Sequence, residues 1–184
     1  MSEALSKAAG FNTTAKALRR MLGNERFEQL TQTLPADTQA LLRRPPPAMQ
    51  WLPLGHFLAL IHGAEACLGG VSHVEELARK AISEDLNTVY RVFIRLATPQ
   101  YVLTRAANLF STYNQNNGEL VIRQTSVTSV EVAYIGQASD SPAYWAYQKG
   151  ALWAVVNLLG LRAPAIAPIA PRKNEDAVFR VSWS

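Results

Sequence analysis

Residues 116–135 read NNGELVIRQTSVTSVEVAYI, and the architecture turns on this stretch. Before Asn116 the apolar residues recur every three or four positions; after Gly118 they alternate, as in a strand with one covered face. Residues 119–124 and 128–135 read as two strands around a short polar turn, with Val130, Val132 and Tyr134 pointing inward. Asn116-Asn117-Gly118 supplies the residues that tolerate a tight reversal, so the period changes there for a local reason.

Downstream, Asp140-Ser141-Pro142 opens a helix from 143 to 159, closed by Gly160. That helix is apolar almost all round, so it should be covered on two sides. Two further strands follow, at 163–169 and 177–183. Prolines 164, 168 and 171 place the first at a sheet edge or bulge, because proline donates nothing to a ladder. In the second, Phe179, Val181 and Trp183 share a face opposite Val178, Arg180 and Ser182. The tail order is strand, strand, helix, strand, strand.

Upstream the chain reads as helical. Asn12-Thr13-Thr14 is a capping signal for a helix through Leu18, Met21 and Leu22 that stops at Gly23. Asn24 opens a second helix carrying Phe27, Leu30 and Leu34 and ended by Pro35. Pro45-Pro46-Pro47 forms a stiff extended connector. A helix over 53–68 stops at Gly69-Gly70. Ser72-His73-Val74-Glu75 has capping-box spacing for a long helix to Leu96, and Thr98-Pro99 restarts one with Val102, Ala106, Leu109 and Tyr113 on one stripe. The expectation is a single α+β domain over 1–184, ordered from about 11 to 183. A helical part, 11–115, packs on a sheet-containing part, 116–184, whose four strands form an antiparallel sheet.

Composition sets the outer limits. The 184 residues are 48% hydrophobic and 17% charged, which suits a packed core and excludes a disordered chain. One cysteine excludes a disulfide framework within the chain. The net charge of +4 comes from scattered basic pairs such as Arg19-Arg20 and Arg43-Arg44, with no basic face for nucleic acid. No apolar stretch approaches the roughly 20 residues of a membrane span, and no secretory signal opens the chain, so the expected compartment is the cytoplasm.

The succession of the long capped helix, Thr98-Pro99, the Asn-Asn-Gly turn, the helix around Gly150-Ala151-Leu152 and the closing Phe179-Arg180-Val181-Ser182-Trp183 resembles a known family. It is an uncharacterised conserved family of many paralogues, found chiefly in myxobacteria. That family is in turn similar to the haem-nitric-oxide-binding and 4-vinyl-reductase-type domains. The resemblance, over about 11–183, implies helices with a small antiparallel sheet, often enclosing an apolar ligand and acting as sensor or adaptor. The haem-binding relatives use a proximal histidine with a Tyr-x-Ser-x-Arg string, and no such string occurs here. The vinyl-reductase type carries cysteines near its last strands, and here none follows Cys67. The resemblance therefore implies neither haem nor a cysteine-held metal, and no cofactor is expected.

Candidate chemistry is sparse. At about 100° per residue, His62 lies about 140° round the helix from Cys67, and His56, which shares its face, is roughly 16 Å away along the axis. A Cys–His pair within that helix is excluded, and Cys67 reads as a small apolar core residue. His62 with Glu65, and His73 with Glu76, each put imidazole and carboxylate on one face; as metal sites they have the reverse of the Glu-x-x-His order. No nucleophile elbow, phosphate-cradling loop or dinucleotide fingerprint is present. No metal or catalytic residue is assigned, and the chain is not expected to be an enzyme.

The remaining signal is aromatic density around the tail helix, with Trp145 and Trp183 among the rings. Tyr134, Tyr144, Tyr147 and Trp153, with Tyr101 and Arg105 from the preceding helix, are the candidate lining of a ligand pocket. The expectation is a non-catalytic sensory or adaptor module for a small apolar ligand or a protein partner. Its rivals are ordinary core packing and a homodimeric scaffold with no ligand, since tryptophan and tyrosine also enrich interface cores, and after them a haem-based sensor or an enzyme.

Overall fold

The structure is a computed structural model that describes residues 2–89, 107–108 and 110–184. The helical half opens with a short strand, β1 (Leu5–Lys7), and continues through α1 (Ala8–Leu22), α2 (Asn24–Thr33) and α3 (Ala36–Arg43). Strand β2 (Trp51–Pro53) leads into α4 (Leu54–Leu68) and α5 (Val71–Val89). The sheet half holds β3 (Asn114–Gln115), β4 (Glu119–Ser126) and β5 (Ser129–Ile135), then the helix α6 (Pro142–Leu158), β6 (Ala165–Ile169) and β7 (Ala177–Ser182). The expected helix beyond residue 89, and the Thr98-Pro99 restart, lie outside the described residues.

Several helix starts differ from the sequence reading, each for a visible reason. Helix α1 begins at Ala8, and Thr14 is buried inside it. Its first amides need no side-chain cap, because Ala8 and Ala9 donate to the carbonyls of Gln50 and Ala48. Regular structure begins at Leu5, in β1. Pro35 ends α2 and at once precedes α3, its carbonyl accepting from the Gln39 amide. From sequence, Pro35 signals only the stop. Helix α5 starts at Val71, so Ser72 is its second residue and not its cap. Ser141 is a true cap, its hydroxyl accepting from the Tyr144 amide at 3.2 Å with Pro142 next.

The C-terminal sheet is four-stranded and antiparallel, in the order β4-β5-β7-β6. Register sets Leu120 against Tyr134, Ile122 against Val132, Val132 against Phe179, and Val130 against Val181. These residues form one apolar face, which packs on Leu152 and Val156 of α6. The edge position expected of the proline-bearing strand is observed for β6. A second sheet, β2-β1-β3, has no counterpart in the sequence reading. Its strands are two or three residues long, too short for alternation to register.

The opposite sheet face departs from simple alternation. Glu131 and Ala133 are buried as well as Val130, Val132 and Tyr134. The segment 170–176 folds back over this face. Arg172 Nη2 donates to Glu131 at 2.8 Å, and Arg123 Nη2 donates to Glu175 at 2.5 Å. Register places Glu131 between Arg123 and Arg180; its carboxylate pairs with Arg172 and Arg180, while Arg123 turns to Glu175.

Helix α6 is covered on two sides, as its all-round apolarity predicts. Leu152 and Val156 face the sheet, while Ala143, Tyr144 and Tyr147 pack on Leu54, Phe57 and Ile61 of α4 and Val74 and Ala78 of α5. The α5–α6 contact is close at Gly150, where an added Cβ would lie 2.2 Å from the Glu75 carbonyl oxygen. Only glycine lets the two backbones approach so nearly. A third cluster, around Phe11, Leu18, Phe27, Leu30 and Leu60, holds the helical half together.

Candidate functional site

The rings singled out from sequence do not share one open pocket. Tyr134 and Tyr144 are almost wholly buried and are bridged by Trp145, at centroid separations of 5.5 and 5.1 Å. Tyr134 also meets Phe110 and Phe179 edge-on, and Tyr147 meets Phe57 at 4.9 Å. These are the T-shaped contacts of a filled core. Trp153 stands apart from them, with the Arg79 guanidinium 4.6 Å above its ring. Tyr101 and Arg105 lie outside the described residues.

Each buried hydroxyl has a protein partner. Tyr147 and Thr14 hydroxyls are 2.6 Å apart; Tyr144 donates to Gln137 Oε1 at 2.8 Å and accepts from Asn117 Nδ2 at 3.2 Å. Tyr134 donates to Gln148 at 3.4 Å. Burial raises two of these phenols: Tyr144 is pushed up to about 12, and Tyr134 well above the ordinary 10.0. These groups stay protonated and act as fixed struts between α6 and its neighbours.

A space open to a ligand lies beside this core. A groove of about 490 Å³ runs between the first turn of α5, one flank of α6, and strands β6 and β7. Trp145 and Ala146 of α6 and Phe179 of β7 give it an apolar floor. Val71 rims it from α5, while Pro168, Ile169 and Pro171 rim it from the sheet edge. Its polar groups are Ser72, Asp176, and the pair Glu75 and Lys149, whose Oε2 and Nζ are 2.8 Å apart.

Glu75 is the most tightly held of these. Burial opposes its charge, but hydrogen bonds from Lys149 and Arg79 outweigh that and bring its carboxyl below the usual range. Asp176 accepts from the Gln137 amide at 2.8 Å and donates its own amide to the Tyr134 carbonyl. The groove thus has an apolar body with a neutralised carboxylate–ammonium pair at one wall. Trp145 belongs to the aromatic set visible in the sequence; Glu75, Lys149 and Phe179 do not, and the signal that could have found Glu75 is its i,i+4 spacing to Arg79.

The histidines and the cysteine do not converge. His56 Nδ1 lies 2.9 Å from the Thr38 hydroxyl, His62 Nε2 lies 2.9 Å from Ser141 Oγ, and His73 is exposed in the first turn of α5. Cys67 packs at the margin of the helical core, the structural role expected of it. Among the described residues no group of three His, Cys, Asp or Glu is placed to hold a metal ion. Among them too, no helix is long and apolar enough to cross a membrane.

Haem can be tested directly against this donor set. Its iron takes a histidine, a thiolate, a methionine or a tyrosinate. The three imidazoles lie on the helical half, bonded to hydroxyls or facing solvent, and no histidine follows His73 in the chain. Tyr134 and Tyr144, with raised pKa values, resist the tyrosinate form. The residues present do not fit a histidine-held haem.

No protein-family model and no curated protein matches the sequence. Solved structures do match the fold. An H-NOX protein from K. algicida, in its Fe(II) unliganded form, superposes with a TM-score of 0.72 at 13% identity, over 97% of this chain and 96% of that one. A point variant of Tt H-NOX gives 0.72 at 12% identity, over 97% and 95%. An oxygen-binding H-NOX domain related to soluble guanylate cyclases gives 0.71 at 11%, over 97% and 95%. The chain has the fold of these domains, and the distant similarity to haem-nitric-oxide-binding domains expected from sequence is observed in three dimensions.

Proposed function

We propose that this chain is a non-catalytic sensory or adaptor module that uses the H-NOX fold without a histidine-held haem. Its ligand is a small apolar molecule, or an apolar side chain of a protein partner, seated in the groove between α5, α6 and the β6–β7 edge. The observation that carries this reading is the groove's position. It is lined by the start of α5, which belongs to the helical half, and by β6 and β7, which belong to the sheet. An occupant touching both would favour one arrangement of helices on sheet over another, which is all a ligand needs in order to signal. The neighbours' fold supports a sensory role. The absence of a converging nucleophile, base or metal group among the described residues supports a non-catalytic one.

The test is native mass spectrometry of the purified chain, repeated under denaturing conditions. The reading expects an excess mass that leaves on denaturation, contains no iron, and falls when Trp145→Ala or Ala146→Trp alters the groove floor. An excess equal to haem, accompanied by a Soret band, would replace it with a haem sensor. A clean chain mass that no apolar additive alters would leave the groove without a ligand.

A further inference from the structure

The two edges of the four-stranded sheet are built differently. Strand β6 carries Pro168 within it, which withdraws a donor and blocks a further strand. Strand β4, at the other edge, is eight residues long, has neither proline nor glycine, and pairs only with β5 among the described residues. Its regular pairing runs from Glu119 to Gln124, where a register shift ends it. On the outward-alternating face stand Glu119, Val121 and Arg123; on the other stand Leu120 and Ile122, which pack with the apolar core.

We infer that β4 is a self-pairing edge, through which two copies of this chain join their sheets antiparallel about a two-fold axis centred on Val121. The register follows from chemistry. With Val121 opposite its own copy, Leu120 of each chain faces Ile122 of the other, and Glu119 of each faces Arg123 of the other. Shifting the centre to Ile122 leaves an Ile122 self-pair but sets Leu120 against Gln124 and Glu119 against Thr125, losing the Leu120–Ile122 pairs and the charge pairs. Edge strands of monomers often discourage pairing with charge. Here the two charges are of opposite sign and self-complementary, so pairing brings together cross-strand partners that attract.

Arg123 gives an independent reason. Its Nη2 donates to Glu175, while its Nη1 is buried without a hydrogen-bond acceptor. A buried unpaired donor is costly, and the arriving Glu119 is the carboxylate that the paired register sets opposite Arg123. This inference does not depend on what occupies the groove, which lies at the other edge of the sheet.

The test is light scattering after size exclusion over a dilution series, with hydrogen exchange on the same samples. The wild-type chain is expected to have twice the chain mass at high concentration, with amides of β4 protected in the dimer and released on dilution. Glu119→Arg, at an exposed site, should weaken the dimer at least tenfold without changing the melt. Mixing Glu119→Arg chains with Arg123→Glu chains should restore a heterodimer, provided the Arg123→Glu chain melts as a folded protein. A chain that is monomeric throughout, a dimer indifferent to Glu119→Arg, or β4 amides whose protection ignores concentration would each overturn the inference.

Discussion

The hydroxyls of Thr14 on α1 and Tyr147 on α6 meet at 2.6 Å, across 133 positions of sequence, inside the protein. This contact ties the first long helix to the last one. Removing either hydroxyl leaves the other buried with fewer partners, so the loss should exceed the net worth of an ordinary hydrogen bond. Tyr147→Phe is expected to lower the unfolding free energy by about 1–3 kcal/mol. Thr14→Val together with Tyr147→Phe should cost less than the sum of the two single changes. A double-mutant cycle from urea titrations reads this directly, and strict additivity would mean that the two groups do not interact.

At Gly150 the usual sign of a helix substitution should invert. Glycine to alanine inside a helix normally stabilises by about 1 kcal/mol. Here the new methyl would lie 2.2 Å from the Glu75 carbonyl oxygen and 2.8 Å from the Ala78 side chain. Helices α5 and α6 must part to accept it, and overpacking of this kind costs about 1–3 kcal/mol or more. A thermal melt of Gly150→Ala is expected below wild type; an equal or higher midpoint would show that the helices part freely.

Alkaline pH should loosen the sheet half through Tyr144. Its phenol titrates at 10.0 in the open chain and is raised to about 12 when folded. The folded form holds its proton longer than the unfolded one, so stability is whole below pH 10 and declines as pH rises through 12. The loss from this group alone approaches about 3 kcal/mol. Urea midpoints for wild type and Tyr144→Phe, taken from pH 9 to pH 12, should converge as this contribution disappears. Parallel curves would assign the alkaline transition to other groups.

Acid should release the segment that straps the outer sheet face. The Arg172 backbone amide, and then the Arg123 side chain, hold the Glu175 carboxyl below its ordinary 4.5. Its contribution is therefore complete above that value and is lost as pH falls through the lowered one. Exchange protection of the Asp176 amide, which donates to the Tyr134 carbonyl, should fall over that acid window. In Glu175→Gln the protection should be lower and insensitive to acid. A wild-type amide with constant protection down to acid unfolding would show that the strap is held by something else.

Much of this architecture was readable from periodicity. The antiparallel β4–β5 and β6–β7 pairs, the edge position of β6, and the two-sided burial of α6 follow from where Val130, Pro168 and Trp145 fall in their segments. The small sheet was not readable, because Leu5–Lys7 and Asn114–Gln115 gain meaning only when residues distant in sequence meet. The buried Glu131 was equally hidden. It alternates outward, and nothing local announces that 170–176 returns to cover it. The candidate site was hidden for another reason: the tyrosines that in sequence could line a pocket here fill one another's space. Whether rings enclose a ligand or each other depends on backbone separation, and that is set by positions such as Gly150.

The two-sided cover of α6 also sets an order of events during synthesis. Leu54, Phe57, Ile61, Val74 and Ala78 have left the ribosome before Ala143, Tyr144 and Tyr147, which pack against them, are made. Translation at roughly 5–20 residues per second leaves this apolar surface bare for about 3–13 s. During that interval the nascent helical half presents a patch that other unfinished chains can capture. A helper that shields apolar surface near the exit tunnel would therefore raise the yield of folded protein. Slower translation of the intervening segment would lower it, with no change in the stability of the finished fold.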